Sequence, residues 1–173
     1  MSGASLVADL SGLGRVQAAL RRAGDRLADC TPLMRDVGAS LVQSTRERFD
    51  SQSGPDGKRW RPLSADTVIG RLGGVGRTYT KKMQFRAKAR RGMASMRILF
   101  RQGHLRNSIT ARAGADRVEV GTNLVYGAIH QFGGPAGRGR KITIPARPYL
   151  GLSDADADRV EGLVQDYLRE VLR

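Results

Sequence analysis

Cysteine and histidine are scarce in this chain of 173 residues, and each shortage excludes a class of protein. Cys30 is the only cysteine, which excludes an intrachain disulfide and any zinc site built from several thiolates. His104 and His130 are the only histidines, and neither lies at metal-ligand spacing from other ligating residues. The sequence therefore predicts no metal site and no bound cofactor.

Long apolar runs are missing as well. No stretch approaches the roughly 20 apolar residues that a membrane-spanning helix needs, so we expect no contact with a membrane. The first ten residues, MSGASLVADL, have neither a basic start nor a long apolar core. We therefore expect no signal peptide and a protein that stays in a reducing cytoplasm. The length suits one domain with its own core, and we interpret residues 1–173 as a single domain.

Acidic residues are few and unevenly placed. The formal net charge is +14, and a charge of this size concerns partners rather than fold. No acidic residue occurs from Thr67 to Ala115, where 12 of the 30 Lys and Arg residues lie. The C-terminal segment is acidic instead, and we predict an acidic contact face there, formed by Asp154, Asp156, Asp158 and Glu161. A chain with a basic middle and an acidic C-terminal segment suits head-to-tail contact between copies, or contact of the basic part with a polyanion.

Apolar residues at helical spacing predict two N-terminal helices and one C-terminal helix. The first covers residues 9–29, and the second runs from Thr31 to about Asp50. Thr31 is the expected N-cap of the second helix, and Pro32 suits its first helical position because no N–H is needed there. The last helix covers residues 154–172 and has acidic residues at its start.

Alternating apolar and polar residues predict a small antiparallel sheet. The strings NSITARA (107–113) and RVEVGT (117–122) flank a turn that contains glycine, which is typical of a hairpin. The string KITI (141–144) is a third predicted strand. The fold class is therefore α+β, with this sheet packed against the two N-terminal helices and the C-terminal helix.

A basic, glycine-rich stretch at residues 70–101 shows no apolar period. We interpret it as a long loop or insertion. Its basic side chains are candidates to face DNA or a neighbouring subunit, and we call the following set the basic segment: Arg77, Lys81, Lys82, Arg86, Lys88, Arg90 and Arg91.

No arrangement of catalytic residues is evident. Ser108 lies one helical turn from His104, but no third group orients such a pair. His130 occurs in a short predicted helix, where a packed histidine is commoner than a catalytic base. Two glycine-rich strings do not complete a phosphate-binding loop. We therefore expect that the protein is not an enzyme. A small hydrolase is the weaker alternative, and nonspecific nucleic-acid binding through residues 71–101 is the stronger one.

Four strings carry a resemblance when they are read together. They are FDSQSGPDGKRWRPLSADT (49–67), GHLRNSI (103–109), VEVGTNLVYGAIHQFGG (118–134) and IPARPYLGLS (144–153). In this order and spacing the chain resembles the phage virion morphogenesis family, the tail-completion proteins of Mu-like phages. The resemblance covers roughly residues 30–172, and it brings no catalytic residues.

The resemblance implies a structural protein of a tailed phage or prophage that acts at the neck, where head and tail join. It implies a homo-oligomeric ring, commonly six-fold, around the channel through which DNA leaves. The partners it implies are further copies of the chain, portal, connector or stopper proteins, tail terminator or tail-tube proteins, and genomic DNA through nonspecific contact. The location it implies is the virion, after assembly in the cytoplasm of the bacterial host.

The residues of these strings are predicted to be architectural. We expect Ile129 and Phe132 to point inward from a short helix that Gly133 ends. Arg147 lies between two prolines, and we expect it to bridge a carboxylate through two hydrogen bonds. The full set of predicted motif residues is Trp60, Tyr126, His130, Gln131, Phe132, Gly133, Pro145, Arg147, Pro148 and Tyr149.

Overall fold

The structure is a computed structural model that describes residues 13–172. Positions 9–12 of the first predicted helix lie outside the described residues. The elements in chain order are α1 (Leu13–Ala28), α2 (Thr31–Ser51), α3 (Ala65–Arg71), α4 (Val75–Thr78), α5 (Ala87–Ala94), α6 (His104–Asn107), β1 (Thr110–Ala113), β2 (Val118–Gly121), α7 (Gly127–Phe132), β3 (Gly134–Ala136), a 3-10 turn (Arg138–Arg140), β4 (Ile142–Ile144) and α8 (Asp154–Val171).

The predicted α+β class is confirmed, but the strands form two separate antiparallel pairs. β1 pairs with β2 as the predicted hairpin, with Thr110 opposite Gly121. β4 pairs instead with β3, and Ile144 lies opposite Gly134. The strand β3 was not predicted, because Gly-Pro-Ala carries no alternation of apolar and polar residues.

Helix α2 is the element on which the hairpin β1–β2, α6 and α8 pack. Its residue Gly38 faces the hairpin so closely that an added Cβ would lie 2.8 Å from the Cβ of Ala111. The N-cap of α2 is Cys30 rather than the predicted Thr31. The backbone N–H of Thr31 donates to the Asp29 carboxylate at 3.0 Å, so a preceding residue satisfies this helix end. Pro32 is therefore the second residue of α2 rather than the predicted first, although it still lies in the first turn.

The core is an aromatic and aliphatic cluster at the C-terminal end of α2. Phe49, Trp60, Leu105, Ile109 and Tyr149 are all buried there. The ring centroid of Phe49 lies 5.4 Å from that of Trp60 and 5.3 Å from that of Tyr149. Edge-to-face and tilted geometries at such distances are favourable for aromatic pairs. Trp60, one of the residues predicted to be architectural, is thus part of the core.

The interpretation of residues 70–101 as a long loop is wrong. The stretch begins in α3 and contains α4 and α5, and Tyr79 pairs with Phe85 across a turn. Helix α5, with the sequence AKARRGMA, buries only Ala89. The sequence therefore shows no apolar stripe, although alanine, lysine and arginine favour a helix. Among residues 13–172 no helix is long and apolar enough to cross a membrane.

Candidate functional site

The side chain of Gln131 joins α7 to the chain that leads into α8. Its Oε1 accepts hydrogen bonds from the backbone N–H groups of Tyr149 (2.9 Å) and Leu150 (3.0 Å). Its Nε2 donates to the carbonyl of Leu150 at 2.9 Å. One amide thus pairs with the backbone much as a neighbouring strand would. The backbone N–H of Arg147 adds a bond to the carbonyl of His130 at 2.8 Å.

Two further side chains join the segment around Trp60 to the same chain. The indole Nε1 of Trp60 donates to the carbonyl of Pro148 at 2.8 Å. The Arg147 guanidinium donates from Nε to the carbonyl of Arg61 (2.9 Å) and from Nη2 to that of Pro62 (3.0 Å). Three strings that are distant in sequence therefore meet at residues 147–150. The segment around Trp60, the α7 string and the Pro-Ala-Arg-Pro string form one hydrogen-bonded junction.

At this junction, two predictions about the motif residues are wrong and one is confirmed. The expected carboxylate partner of Arg147 is wrong, because the two carbonyls above occupy its guanidinium. The expected inward orientation of Phe132 is also wrong, because 79% of the side chain is exposed. Gly133 ends α7 as predicted, with φ at 72°, a conformation that glycine adopts without strain.

The remaining motif residues lie around the junction in different environments. Tyr149 is fully buried in the core, and burial raises the pKa of its hydroxyl. Tyr126 is 44% exposed, and its ring meets that of His130 edge-on at 6.1 Å. Pro148 is exposed, whereas Pro145 is half-buried. The residues of this group thus serve the core, the junction or the surface, rather than one reactive centre.

A buried ion pair fixes the start of α8 to α2. Arg48 binds the carboxylate of Asp156, and its Nη1 also donates to the carbonyls of Tyr149 (3.0 Å) and Gly151 (2.8 Å). Ser153 completes a capping box with Asp156, since each side chain bonds the backbone N–H of the other. Burial alone would raise the pKa of Asp156, but the hydrogen bonds from Ser153 and the charge of Arg48 outweigh it and lower that pKa.

The predicted acidic contact face therefore loses one member. Asp156 is only 1% exposed and is committed to Arg48, so it belongs to the interior. Asp154, Asp158 and Glu161 remain exposed on α8. They follow one another at intervals of four and three residues, which places them on one side of the helix. We call these three residues the acidic face.

A cavity of about 890 Å³ opens beside the junction, and we call it the basic groove. α3, α6, α7, β4 and the segments next to them line it. Apolar side chains, among them Leu63, Leu99 and Ile144, form part of the wall. No Asp or Glu occurs among the described residues that line the groove. Its basic side chains are those of Arg61, Arg71, Arg101, Arg147, His104 and His130.

The electrostatics of the groove follow from this composition. Burial lowers the pKa of His130, and the nearby charges of Arg147 and Arg71 lower it further. Burial also lowers the pKa of Arg147, as do the charges of Arg71 and Arg61. The Nδ1 atom of His130 is buried and has no hydrogen-bond partner in the described chain. The groove thus concentrates positive charge without a carboxylate to balance it.

The basic segment lies outside this groove. All seven of its side chains are exposed, and one of them, Arg86, donates to the carbonyl of Tyr79 at 2.9 Å. The stacking of Tyr79 on Phe85, with centroids 4.7 Å apart, commits both rings to each other. The segment therefore offers charge at the surface.

The geometry gives the candidate catalytic pair other partners. The hydroxyl of Ser108 donates to the carbonyl of Leu105 at 2.8 Å and lies 2.6 Å from that of Thr122. The imidazole Nε2 of His104 lies 3.0 Å from Oε1 of Gln102. Within residues 13–172, no group of three or more His, Cys, Asp or Glu side chains is placed to hold a metal ion.

Sequence reasoning missed Arg48 and the interior role of Asp156. A signal existed for both. Arg48 falls between Thr45 and Phe49 on the apolar side of α2, where a charged residue requires a partner. Ser153 and Asp156 have the spacing of a capping box at the start of an apolar helix. The arginines of the basic groove carried no such signal, because the fold brings them together from four separate segments.

Hydrogen bonds within the chain thus occupy the side chains of three motif residues, Trp60, Gln131 and Arg147. The chain belongs to the phage virion morphogenesis family, whose model matches residues 12–169. It is 31% identical to the Mu-like prophage FluMu G protein 2 of Haemophilus influenzae over 165 residues, 95% of this chain and 97% of that protein. It is 30% identical over 161 residues to the putative capsid assembly protein G of Escherichia phage Mu, with 92% of each chain covered.

A third relative, the Mu-like prophage FluMu G protein 1 of Haemophilus influenzae, is 24% identical over 147 residues, 84% of each chain. No solved structure matches the chain significantly. The resemblance inferred from the four strings is confirmed by the family match. The protein therefore has a structural role in the assembly of phage virions.

Proposed function

We propose that the protein works at the head–tail junction, where it completes the tail and joins the capsid, through its portal, to the tail. Copies of the chain form a homo-oligomeric ring, with a hexamer as the expected form, around the channel for DNA. Its neighbours in the virion are portal, connector or stopper proteins on one side and tail terminator or tail-tube proteins on the other. It acts without catalysing a reaction.

The observation that carries this proposal is a set of exposed apolar side chains beside the shared motif. Val125, which precedes the N-cap of α7, is 96% exposed, and Phe132, the last residue of α7, is 79% exposed. Ile142, on β4, is 64% exposed. Exposed apolar side chains that lie together mark a site of contact with another protein. In a protein of virion assembly, the partner that would cover them is another virion subunit.

Deletion of the gene from the phage or prophage tests the role directly. We expect the induced lysate to contain filled heads and separate tails in electron micrographs, with few joined particles. A plasmid copy of the wild-type gene should restore joined particles. Normal numbers of infectious, complete virions from the deletion strain would overturn the proposal.

The ring is tested by the native mass of the purified protein after nuclease treatment. We expect a discrete multimer that persists from low to moderate salt. A multimer that disappears when nucleic acid is removed would contradict a ring held by protein contacts.

Nucleic-acid binding is a second candidate, favoured by the exposure of the whole basic segment. In the ring this segment would face the DNA in the channel without reading its sequence. Neutralising Lys88, Arg90 and Arg91 to glutamine should leave the fold intact, because all three side chains are exposed. The substitutions should weaken binding to a duplex. They should also reduce the slope of log K against the logarithm of the salt concentration by about 0.9 for each phosphate that the protein no longer neutralises. An unchanged salt dependence would contradict this role.

A further inference from the structure

The basic groove has no internal partner for its charge among the described residues. Arg147 donates to the carbonyls of Arg61 and Pro62, and Arg71 donates to the carbonyl of Arg97 at 2.9 Å. Carbonyls satisfy the N–H groups but leave the positive charges in place. Four guanidinium groups around one recess attract an anion. The occupant that this groove favours is therefore negatively charged.

The shape and lining of the groove favour a protein over nucleic acid. Arg147 is only 5% exposed, and Leu63, Leu99 and Ile144 share the wall with the arginines. A duplex presents its phosphates on the outside of a stiff rod, and it brings no apolar groups to such a wall. A peptide surface offers carboxylates and apolar side chains side by side. The exposed Tyr126 and Ile142, which also line the groove, extend this apolar contact outward.

The acidic face of α8 has the complementary composition. Asp154, Asp158 and Glu161 are exposed, and none of them forms an ion pair with another described residue. Leu152, which precedes the N-cap of α8, is 62% exposed and supplies an apolar side chain at the same end of the helix. The acidic face and Leu152 therefore present carboxylates and an apolar side chain, the two kinds of group that the basic groove can accept.

The two surfaces are separate on the chain. Among the described residues, none from α1, α2 or α8 lines the basic groove, although α8 packs on both α1 and α2. Contact between groove and face must therefore join different copies. Because the two surfaces differ, the contact can repeat head-to-tail from copy to copy, and its repetition leads to a closed ring when the rotation permits.

We propose that the basic groove of each copy binds the acidic face of α8 of the next copy. This inference rests on the proposed ring and names the two surfaces that build it. Arg61, Arg71 and Arg101 meet the carboxylates of the neighbouring helix. Leu152, which precedes that helix, packs against Tyr126 and Ile142 at the rim.

Reciprocal charge reversal tests the pairing in the full-length protein. The groove variant carries Arg61→Glu, Arg71→Glu and Arg101→Glu, which leaves Arg147 facing three carboxylates. The helix variant carries Asp158→Lys and Glu161→Lys. Asp154 is kept because a negative charge favours the first turn of α8. Each variant alone places like charges opposite each other, and we expect its dissociation constant for assembly to rise by a factor of about ten or more.

Mixing the two variants is the decisive measurement. Each groove then faces a helix of opposite charge, so the two chains alternate, and a ring with an even number of subunits closes. We expect analytical ultracentrifugation to recover the native mass of the wild type for the equimolar mixture. Circular dichroism and melting temperature establish that each variant folds before it is mixed.

A matched control places the same type of charge change outside the groove. Lys88→Glu, Arg90→Glu and Arg91→Glu alter three exposed residues of the basic segment, and we expect the native mass of this variant to equal that of the wild type. Loss of assembly in this control but not in the groove variant would overturn the proposal and assign the contact to the basic segment.

The other outcomes are equally definite. Assembly that persists in both reversal variants leaves the ring standing but overturns the pairing of these surfaces. A wild type that stays monomeric also overturns the pairing, while the deletion strain still tests the role at the head–tail junction. Binding of a labelled duplex that only the groove variant loses, with native mass unchanged, would overturn the pairing in favour of nucleic acid.

Discussion

At the scale of single residues, Gln131 explains why two strings of the motif occur together. The string around α7 supplies one amide, and the Pro-Ala-Arg-Pro-Tyr-Leu string supplies the two N–H groups and the carbonyl that this amide pairs with. The segment at residues 149–150 has no strand neighbour in the described chain. Without Gln131, partly buried backbone groups would be left unpaired.

Replacing Gln131 with leucine should destabilise the fold. The apolar side chain keeps a similar size but leaves two N–H groups and one carbonyl without partners, which costs about 2 kcal/mol or more. Urea denaturation followed by fluorescence of Trp60 measures the change. Gln165→Leu is the matched control, because Gln165 is exposed and bonds only the carboxylate of Glu161. Equal stability of the two variants would contradict the role assigned to Gln131.

Gly133 should not tolerate even alanine. Its φ is 72°, and an added Cβ would lie 2.7 Å from the backbone nitrogen of Ala146. Backbone cannot move aside as a flexible side chain can, so we expect Gly133→Ala to lower the free energy of unfolding by about 2 kcal/mol. Gly162→Ala is the control, since α8 has open space at that position and alanine favours a helix. A melting temperature for Gly133→Ala at or above that of the wild type would refute the prediction.

At the scale of elements, the sequence predicts well wherever a periodic pattern decides the structure. The long helices α2 and α8 and the hairpin were predicted because their apolar residues recur at helical or alternating spacing. Helix α5 was missed because it buries a single side chain, Ala89. β3 was missed because a Gly-Pro-Ala strand forms only through its pairing with β4. Elements that depend on tertiary contact leave little trace in a single sequence.

In the candidate site, too, features set by local sequence could be predicted, whereas features set by tertiary contact could not. Trp60 and Gly133 could be placed from residue type and neighbours alone. The partner of Arg147 could not be, because the carbonyls it binds lie 86 and 85 positions earlier in the chain. Phe132 follows the apolar pattern of α7 yet is exposed, since a six-residue helix has little buried surface to offer its last residue.

The ion pair between α2 and α8 predicts a defined acid sensitivity. The pKa of Asp156 is lower in the folded chain than its ordinary value of 3.8. Its contribution to stability is therefore fully present above the unfolded pKa and is lost as the pH falls through the folded pKa. We expect the unfolding free energy from urea titrations to fall below about pH 4 more steeply for the wild type than for Asp156→Asn.

At neutral pH Asp156→Asn should itself cost about 3 kcal/mol, because Arg48 remains buried without a counter-charge. Asp166→Asn is the control, since the pair of Asp166 with Arg169 is exposed on both sides and contributes little. Parallel pH profiles for the wild type and Asp156→Asn would show that the ion pair does not govern acid stability.

At the scale of the whole molecule, surfaces of different character are kept apart. The buried junction at residues 147–150 holds the chain together, whereas the acidic face, the basic segment and the exposed ends of α7 are left facing solvent. A protein of +14 net charge repels its own copies, which keeps isolated chains dispersed. Association must therefore match surfaces of opposite charge or cover apolar groups, and both are available on this chain.

Phe132 provides the last test of this separation between folding and assembly. The side chain is 79% exposed, so Phe132→Ser should change the melting temperature of the monomer very little. If the exposed end of α7 is covered in the ring, the same substitution removes apolar contact area from the interface and raises the dissociation constant for assembly by a factor of about ten. Leu20→Ser, at a leucine of α1 that is 65% exposed, is the matched control and should leave assembly unchanged. An effect of Phe132→Ser on the melting temperature without any effect on native mass would show that α7 serves the fold alone.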